Sequence, residues 1–391
     1  MLLLALLPCP QFLCPKNYHG VLEARVLHQC ISIICHPLKI AASVGRMMTD
    51  PWVFSQFCFT PLVAAILDNP EAQLYAGAGG KSSPVTMAMY KQFGDPFQHP
   101  TRTRSCVLAI LQAVAREAPD YWDVPAYSRV AKKKIYRLNG VAELFWLDWP
   151  LSDPSLFLMP EPLHQWHKQC WDHDINWCHH VLEGISSLKQ VSGHEHRYIQ
   201  CYLIGVIAGA APPEFVSCIR ALMEFRYIVQ SPLIDDHMVN RLSECLAEFQ
   251  KKKQIILDCG ARCSKNKAID NWHIPKLELM QNMAPSIKQM GAPMQWNADV
   301  TEHSHITFVK EPFRSSNRRN FDPQICRALD RVEKCYLFHI TTSICSSATS
   351  ATDNTSDDGD MDDMIEEGSG SDAEDEDENM TGLFADLNNT C

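Results

Sequence analysis

Four side chains that can bind a metal ion lie within seven residues near the end of the chain: Asp299, Glu302, His303 and His305. Carboxylates are ligands for hard cations such as Mg²⁺, and imidazoles bind zinc. Four cations follow in the next stretch of sequence: Lys310, Arg314, Arg318 and Arg319. Such cations can contact the phosphates of DNA, and phosphoryl transfer on nucleic acid requires both metal-binding acids and phosphate-binding groups. The same run also fits a polar loop with solvated histidines, and a short motif alone does not decide between the two.

A second acid of interest lies much earlier in the chain. The run Phe57–Leu67 is apolar and short, and it ends at Asp68, which is followed by Asn69 and Pro70. This pattern predicts a buried strand that terminates on an acid. A strand end next to a loop is well suited to hold a metal ligand, because the strand fixes the carboxylate and the loop leaves room for the ion.

Three further groups could carry chemistry, and each has a simpler structural interpretation. His164 and His167 have the i, i+3 spacing of a helical metal pair, but they do not form an H-E-x-x-H motif, and neighbouring tryptophans favour a packed helix. Cys259 and Cys263 form a C-x₃-C pair without a clear second pair, so zinc is not expected there. Lys81 follows two glycines but lacks the spacing of a phosphate-binding P-loop.

The charge of the chain is unevenly distributed. The formal net charge is −11, but residues 351–391 hold 15 of the 46 acidic residues and no Lys or Arg, which leaves residues 1–350 at +4. A mildly basic body with an acidic tail is typical of a nucleic-acid-associated protein, and the tail could bind basic proteins or simply aid solubility. From Ser346 the composition predicts disorder.

Cysteine usage and hydropathy indicate an intracellular protein without a membrane span. The 17 cysteines are scattered rather than set at the spacings of a disulfide framework, so we expect reduced thiols. The apolar start of the chain is short and has no basic residue before it, which argues against a secretory signal. The later apolar run Tyr202–Pro212 is too short to cross a bilayer.

Apolar periodicity predicts mainly helices in the body of the chain. Residues 21–48 are expected to form a helix broken at Pro37, and residues 77–100 a loop region. Residues 101–250 are predicted to be mostly helical, with two amphipathic helices over 213–250. Two later helices are expected at Trp272–Met283 and Cys326–Phe338.

Sequence blocks occur in order along residues 25–340, among them CFTPLVAAILDNPEA at 58–72, DPSLFLMPEPLHQWHKQCWDHDINWC at 153–178 and QWNADVTEHSHITFVKEP at 295–312. Together these blocks resemble Plavaka-type transposases of fungal DNA transposons, which are related to the KDZ and CACTA groups. Residues 1–20 and those beyond about 345 do not resemble the family. The stretch after Cys178 is also shorter than the family pattern, and the C-x-x-C zinc pair of the KDZ relatives has no counterpart around residues 82–85, so zinc is not expected.

The resemblance implies an α/β fold that is mostly α, with an incomplete RNase H-like core interrupted by a large helical insertion. The segments it implies are an unassigned N-terminus at 1–20, a partial core at 21–76, a mainly helical insertion at 77–294, the C-terminal part of the core at 295–345, and a disordered acidic tail at 346–391. Because the first core strand and its acid are not found in the chain, an N-terminally truncated transposase is expected.

The resemblance also implies a DDE-type active site that uses Mg²⁺ or Mn²⁺ for DNA cleavage and strand transfer at transposon ends. Asp68 matches the second acid of the family, and Glu302 fits the third best, with Glu161 as the alternative. Lys310 and the three arginines after it are expected to contact DNA in the nucleus. Without the first acid, we expect an inactive remnant. The alternative is a non-catalytic module, derived from a transposase, that binds DNA or protein.

Overall fold

The computed structural model describes residues 5–7, 10–50, 52–168, 170–182, 193–264 and 267–353. The chain forms two compact units, residues 1–306 and residues 307–391. Helices dominate the described part of both units, and the only sheets there are two antiparallel pairs of strands. The expectation of a mostly helical α/β chain is therefore confirmed.

The first unit begins with two helices separated at the predicted position. Helix α1 (His19–Ile34) buries Val21, Ala24 and His28, which recur every three or four residues along one face. Helix α2 (His36–Val44) follows after Cys35 and has Pro37 in its first turn, where the missing N–H of proline costs no hydrogen bond. The predicted break at Pro37 is confirmed.

A two-stranded hairpin follows, and here the prediction was wrong. Strand β1 (Arg46–Thr49) pairs with β2 (Ser55–Cys58), and the side chains of both strands are largely exposed. The expected buried strand over residues 57–67 ends at Cys58, and residues 59–67 make one parallel bridge, from Ala65 to Leu158. Pro61 has no N–H to donate to a ladder, and the apolar side chains of Leu62 and of residues 64–67 pack, half-buried, against the helical core.

The segment that leads into the helical region is mostly irregular, as predicted. Helix α3 (Asn69–Tyr75) comes first, and turns and isolated bridges then occupy most of residues 77–100. Helices α4 (Arg104–Glu117) and α5 (Val124–Ala131) begin at Thr103 and Asp123, whose side chains each accept a hydrogen bond from a backbone N–H of the first turn.

The centre of the first unit is a helical core. Its helices are α6 (Pro154–Phe157), the π-helical turns Leu163–His167 and Cys170–Ile175, α7 (Asn176–Leu182), α8 (Gly193–Ile207), α9 (Pro213–Val229) and α10 (Asp236–Lys252). Helices α9 and α10 confirm the two helices predicted over 213–250. Helix α9 is buried along most of its length, and its Arg226 forms a fully buried ion pair with Asp174. Burial raises the pKa of Asp174, although the arginine opposes the shift.

The remainder of the first unit consists of short elements. They are α11 (Gln254–Asp258), the hairpin of β3 (Cys263–Ser264) and β4 (Lys267–Ala268), α12 (Pro275–Met280), α13 (Met283–Met290) and α14 (Asp299–His305). The helix predicted at Trp272–Met283 is confirmed as the shorter α12, and α13 begins at the last predicted residue. The side-chain amide of Asn282 donates to the carbonyl of Glu278, next to the end of α12.

The second unit contains α15 (Glu311–Ser315) and the long helix α16 (Asp322–Asp353). The rings of Phe313 and Phe321 pack edge to face at 4.9 Å, next to the start of α16. The predicted helix at Cys326–Phe338 is confirmed, but α16 continues past Ser346, where disorder was expected to begin. The rest of the predicted tail, residues 354–391, lies outside the described residues. None of the described helices is long and apolar enough to span a membrane.

Candidate functional site

Asp68 lies at the N-terminus of α3. Its Oδ1 accepts a hydrogen bond of 2.8 Å from the backbone N–H of Glu71, and Pro70 occupies the first turn of the helix. This is the geometry of an N-cap, in which a short polar side chain satisfies a helix N–H that has no partner within the helix. The cap fixes one carboxylate oxygen of Asp68 and leaves the other available for a cation.

Glu161 is a buried carboxylate whose oxygens are already engaged. Oε2 accepts from the N–H of Leu163 at 2.8 Å, and Oε1 accepts from the N–H of His164 at 2.6 Å. The ring atom Nδ1 of His164 also lies 2.9 Å from Oε1. The side chain of Glu161 is fully excluded from solvent. Its hydrogen bonds lie at the start of the π-helical turn Leu163–His167 and fix the position of His164 within that turn.

The other ring nitrogen of His164 lies close to the run of acids and histidines at residues 299–305. Its Nε2 lies 3.3 Å from Oε1 of Glu302, a residue in the first turn of α14. The hydrogen bond to Glu161 and the negative charges of Glu161, Glu302 and Asp68 raise the pKa of His164, against the opposing effect of burial. An imidazole between two carboxylates is favoured in its doubly protonated, cationic form, because both nitrogens then donate.

Glu71 completes the negative charge around this histidine. Its pKa is raised by desolvation of the carboxyl group and by the charges of Asp68 and Glu302, although the residue as a whole is exposed. His164 and His305 lower the same pKa. The six residues are referred to below as the His164 cluster: Asp68, Glu71, Glu161, His164, Glu302 and His305.

The His164 cluster brings together acids that are far apart in the sequence. All three predicted acids, Asp68, Glu302 and the alternative Glu161, act on the same imidazole. In the run at residues 299–305, Asp299 has a local partner, because its carboxylate accepts a hydrogen bond of 2.5 Å from the side-chain amide of Asn297. Across the described ranges, no group of three or more His, Cys, Asp or Glu side chains could hold a metal ion. In the present geometry, the cluster therefore supplies negative charge rather than a complete ligand set.

One family model matches the first part of the chain. Residues 1–178 match the family model described as Plavaka transposase. The match covers 178 of the 391 residues, less than half of the chain, and these residues are called the Plavaka segment below. The chain matches no curated relative and no solved structure. Because the match begins at residue 1, the expectation that residues 1–20 do not resemble the family was wrong.

The Plavaka segment contains most of the His164 cluster, namely Asp68, Glu71, Glu161 and His164. Glu302 and His305 lie beyond it, so their resemblance to the family rests on the sequence block at 295–312 alone. Sequence reasoning missed Glu71, although the spacing Asp68-x-x-Glu71 is the spacing of a helix capping box and was available as a signal.

The predicted DNA-binding cations also lie beyond the Plavaka segment, in the second unit. Lys310, Arg314, Arg318 and Arg319 are all exposed. Arg318 and Arg319 occupy the loop before α16, which is closed by Gln324: its side-chain nitrogen donates to the carbonyl of Arg319 at 2.8 Å and to Oδ1 of Asn317 at 2.7 Å. This loop holds two adjacent guanidinium groups at the surface, where they can contact phosphates.

Within the Plavaka segment, hydroxyl groups organise the turn at residues 82–86. Ser83 Oγ accepts from the N–H groups of Val85 and Thr86 at 3.2 and 3.1 Å. The hydroxyl of Thr86 in turn donates to the buried carboxylate of Glu278 at 2.5 Å. Hydrogen bonds therefore close this turn.

The remaining candidates from the sequence are Lys81, Cys263 and His167. Lys81 is exposed, and its ammonium group lies 5.4 Å from the ring centre of Tyr90, as a cation–π contact. Cys263 Sγ lies 3.6 Å from Nδ1 of His180. The side chain of His167 lies outside the described residues, so the His164–His167 pair stays a prediction.

Proposed function

We propose that this protein is a DDE-type transposase relative that binds DNA and a divalent metal ion, with Asp68 and Glu302 as the metal-binding acids. The match of residues 1–178 to the Plavaka transposase model suggests DNA as the partner. We infer that residues 21–76 and 295–345 correspond to parts of an RNase H-like core, with residues 77–294 as a helical insertion. The expected site of action is the nucleus, and the acidic tail is the segment expected to bind basic proteins.

One observation carries the proposal: acids from two distant parts of the sequence act on one imidazole. Glu302 contacts His164 at 3.3 Å, and the charge of Asp68 raises the pKa of the same ring. Mg²⁺ is commonly held by one or two carboxylates, with water and substrate phosphates completing its octahedron. Asp68 and Glu302 act on the same imidazole, and in this proposal they would recruit the ion together, with the DNA phosphate supplying further oxygens.

The chemistry that follows is in-line attack at phosphorus. When bound, Mg²⁺ or Mn²⁺ would polarise the phosphoryl oxygen and lower the pKa of an attacking water or 3′-hydroxyl. Asp68 would contribute the oxygen that is not engaged in the helix cap, and Glu302 would contribute a carboxylate that is about half exposed, with a relative side-chain exposure of 47%. The exposed arginines Arg318 and Arg319 would bind the DNA backbone.

We also infer that this chain alone does not complete strand transfer. Two-metal catalysis uses acids whose oxygens face shared ions. Both oxygens of Glu161 instead accept hydrogen bonds from Leu163 and His164, and Glu302 is in contact with His164. A strand-transfer assay in Mn²⁺ that yields nicked DNA, with the nicking abolished in Asp68→Ala, would overturn this inference.

The metal-binding proposal is tested with Mn²⁺ alone, by isothermal titration of the full chain. Asn caps helices as well as Asp does, so Asp68→Asn removes the charge and keeps α3 intact. We expect this variant to bind Mn²⁺ at least several-fold more weakly than the wild type. Asp123 is a matched control, because it caps α5 through the same type of bond, to the N–H of Ala126 at 3.0 Å, with a proline in the first turn. Equal Mn²⁺ affinity for wild type and Asp68→Asn would refute the proposal.

A non-catalytic DNA-binding module is the second candidate function. It is favoured by the engagement of Glu161 and Glu302 with His164, which leaves few carboxylate oxygens for an ion. This candidate predicts salt-sensitive DNA binding that is unchanged by EDTA and by Asp68→Asn. Fluorescence anisotropy of a labelled duplex, measured with Mg²⁺ and with EDTA, distinguishes it from the first candidate, in which the ion strengthens DNA binding.

A further inference from the structure

Arg262 is a buried cation that lines a cavity in the first unit. The cavity has a volume of about 700 Å³ and is formed by the π-helical turn Cys170–Ile175, helix α7 and the segment around the β3–β4 hairpin. Arg262 is only 8% exposed. Its Nε donates to the carbonyl of Asn271 at 2.5 Å, and its guanidinium carbon lies 5.4 Å from the ring centre of Trp272. These two contacts fix the guanidinium group at the wall of the cavity.

Arg262 differs from the other buried arginines of the described ranges, because it has no acidic partner there. Arg226 forms an ion pair with Asp174. Burial lowers the pKa of Arg102 to about 10, but the negative charge of Glu278 opposes that shift. For Arg262, burial alone lowers the pKa, and no described residue accepts a hydrogen bond from its two terminal nitrogens. A buried charge without a counter-charge is costly, and an anion in the cavity would supply the counter-charge.

The electrostatic surroundings of the cavity also favour an anion. Burial is the largest of the causes that lower the pKa of His173, another lining residue, to about 4. Three cations contribute to the same shift: Lys276, Arg262 and Arg226. Of the described residues that line the cavity, Asp172 is the only acid, and its carboxylate is already paired with the ammonium group of Lys276 at 3.4 Å. The charge of Arg262 is therefore left over for a ligand.

We propose that this cavity binds a phosphate monoester, with the terminal nitrogens of Arg262 donating to two of the phosphate oxygens. The donors of arginine form a planar fork that matches two oxygens of a phosphate. Three more lining residues can donate a ring N–H to the remaining oxygens: His179, His180 and His273. The volume lies within the range of small-ligand sites, so the monoester can come from a free nucleotide or from the phosphorylated end of a nucleic-acid strand. The inference does not depend on the metal-binding acids of the proposed function.

Substitutions at Arg262 test the central contact. We expect Arg262→Gln to weaken the binding of inorganic phosphate at least about tenfold, because charge-assisted hydrogen bonds are lost. Arg262→Lys keeps the charge but not the planar fork, so its affinity should lie between those of the wild type and the Gln variant. Phosphate should raise the melting temperature of the wild type and not that of Arg262→Gln, a difference that a purely structural role would not produce. Arg116→Gln, at an exposed arginine of α4, is the control.

A second variant tests the cavity without changing a buried residue. His180 is exposed and lines the cavity, so His180→Glu places a negative charge at the site without disturbing the core. Like charges repel, and we expect this variant to bind phosphate more weakly than the wild type. His36→Glu, at an exposed histidine of α2, makes the same change of charge away from the cavity and should leave the affinity unchanged.

The deciding experiment is isothermal titration of the full chain with inorganic phosphate, adenosine monophosphate and a 5′-phosphorylated oligonucleotide. EDTA is present throughout, so the result is independent of any divalent ion. The same oligonucleotide without its 5′-phosphate corrects for DNA binding elsewhere on the protein. Tighter binding of the mononucleotide would identify a free nucleotide as the ligand, and tighter binding of the phosphorylated strand would identify a strand end; both support the site. Phosphate affinity that is unchanged in Arg262→Gln and in His180→Glu would overturn the inference, and so would the absence of binding by all three ligands at millimolar concentration.

Discussion

The buried histidine His28 should make the first unit sensitive to acid. Its side chain is 1% exposed, Nε2 donates to the carbonyl of Leu74 at 3.0 Å, and Nδ1 accepts from the N–H of Phe145 at 3.2 Å. The bond from Phe145 requires the neutral ring, since a protonated Nδ1 cannot accept. Burial lowers the pKa of His28 from 6.5 to about 4, partly opposed by the bond to Leu74.

The direction and size of the effect follow from linkage. Because the pKa is lower in the folded state, the unfolded chain binds the proton first, and stability is lost as the pH falls from 6.5 towards 4. One pKa unit corresponds to about 1.4 kcal/mol, so the full window is worth about 3 kcal/mol, of which about 2 kcal/mol is lost between pH 7 and pH 5. The loss from this residue levels off as the pH falls through the folded-state pKa of about 4.

The variant His28→Gln isolates this contribution. Glutamine keeps the donor to Leu74 but cannot take up a proton, so the variant should be less stable at pH 7 and should lose about 2 kcal/mol less than the wild type on going to pH 5. Urea unfolding followed by tryptophan fluorescence at the two pH values measures the difference. Burial also lowers the pKa of His173 to about 4, so some acid sensitivity should persist in the variant. If wild type and His28→Gln lose the same free energy of unfolding, the argument is refuted, and His36→Gln serves as the exposed control.

Two further predictions concern a buried charge and the exposed arginine loop. Asp174→Asn removes the negative charge that faces the buried guanidinium of Arg226 and should cost about 3–5 kcal/mol of unfolding free energy, measured by urea titration. A cost below about 1 kcal/mol would contradict the buried pair. Replacing Arg318 and Arg319 together by Ala should lower the slope of log K against log salt for DNA binding by about 2, since each phosphate contact contributes about 0.9. An unchanged slope would remove both residues from the DNA interface, and Arg116→Ala, at an exposed arginine in the other unit, is the control.

Local sequence patterns predicted the helices better than the strand. The apolar spacing over residues 213–250 and the proline at position 37 specify helices and a break, because both signals act within a few residues. The apolar run Phe57–Leu67 failed as a strand, because apolar side chains can be buried against helices as well as within a sheet. The pattern identifies burial, and only the tertiary neighbours decide the backbone shape.

The same distinction applies to the His164 cluster. Residue chemistry singled out Asp68, Glu302 and, separately, His164, and the resemblance to the family grouped the two acids, but neither signal places His164 against Glu302. The i, i+3 spacing of Glu161 and His164 was visible in the sequence, and it indicates only that the two side chains can meet on one turn. The contact between Nε2 of His164 and Glu302 depends on how α14 packs against the rest of the first unit. No local sequence pattern contains that information.

The position of Asp68 depends on the core more than on its own helix. Helix α3 has only seven residues and would not be stable alone. Its last carbonyls are held by side chains from elsewhere in the first unit: His28 and Asn139 donate to Leu74, and the indole N–H of the buried Trp146 donates to Tyr75 at 2.8 Å. These donors fix the C-terminal end of α3, and the cap at Asp68 fixes the opposite end. The acid is therefore positioned by a buried framework, so a substitution such as Trp146→Phe can shift Asp68 without touching any carboxylate of the cluster.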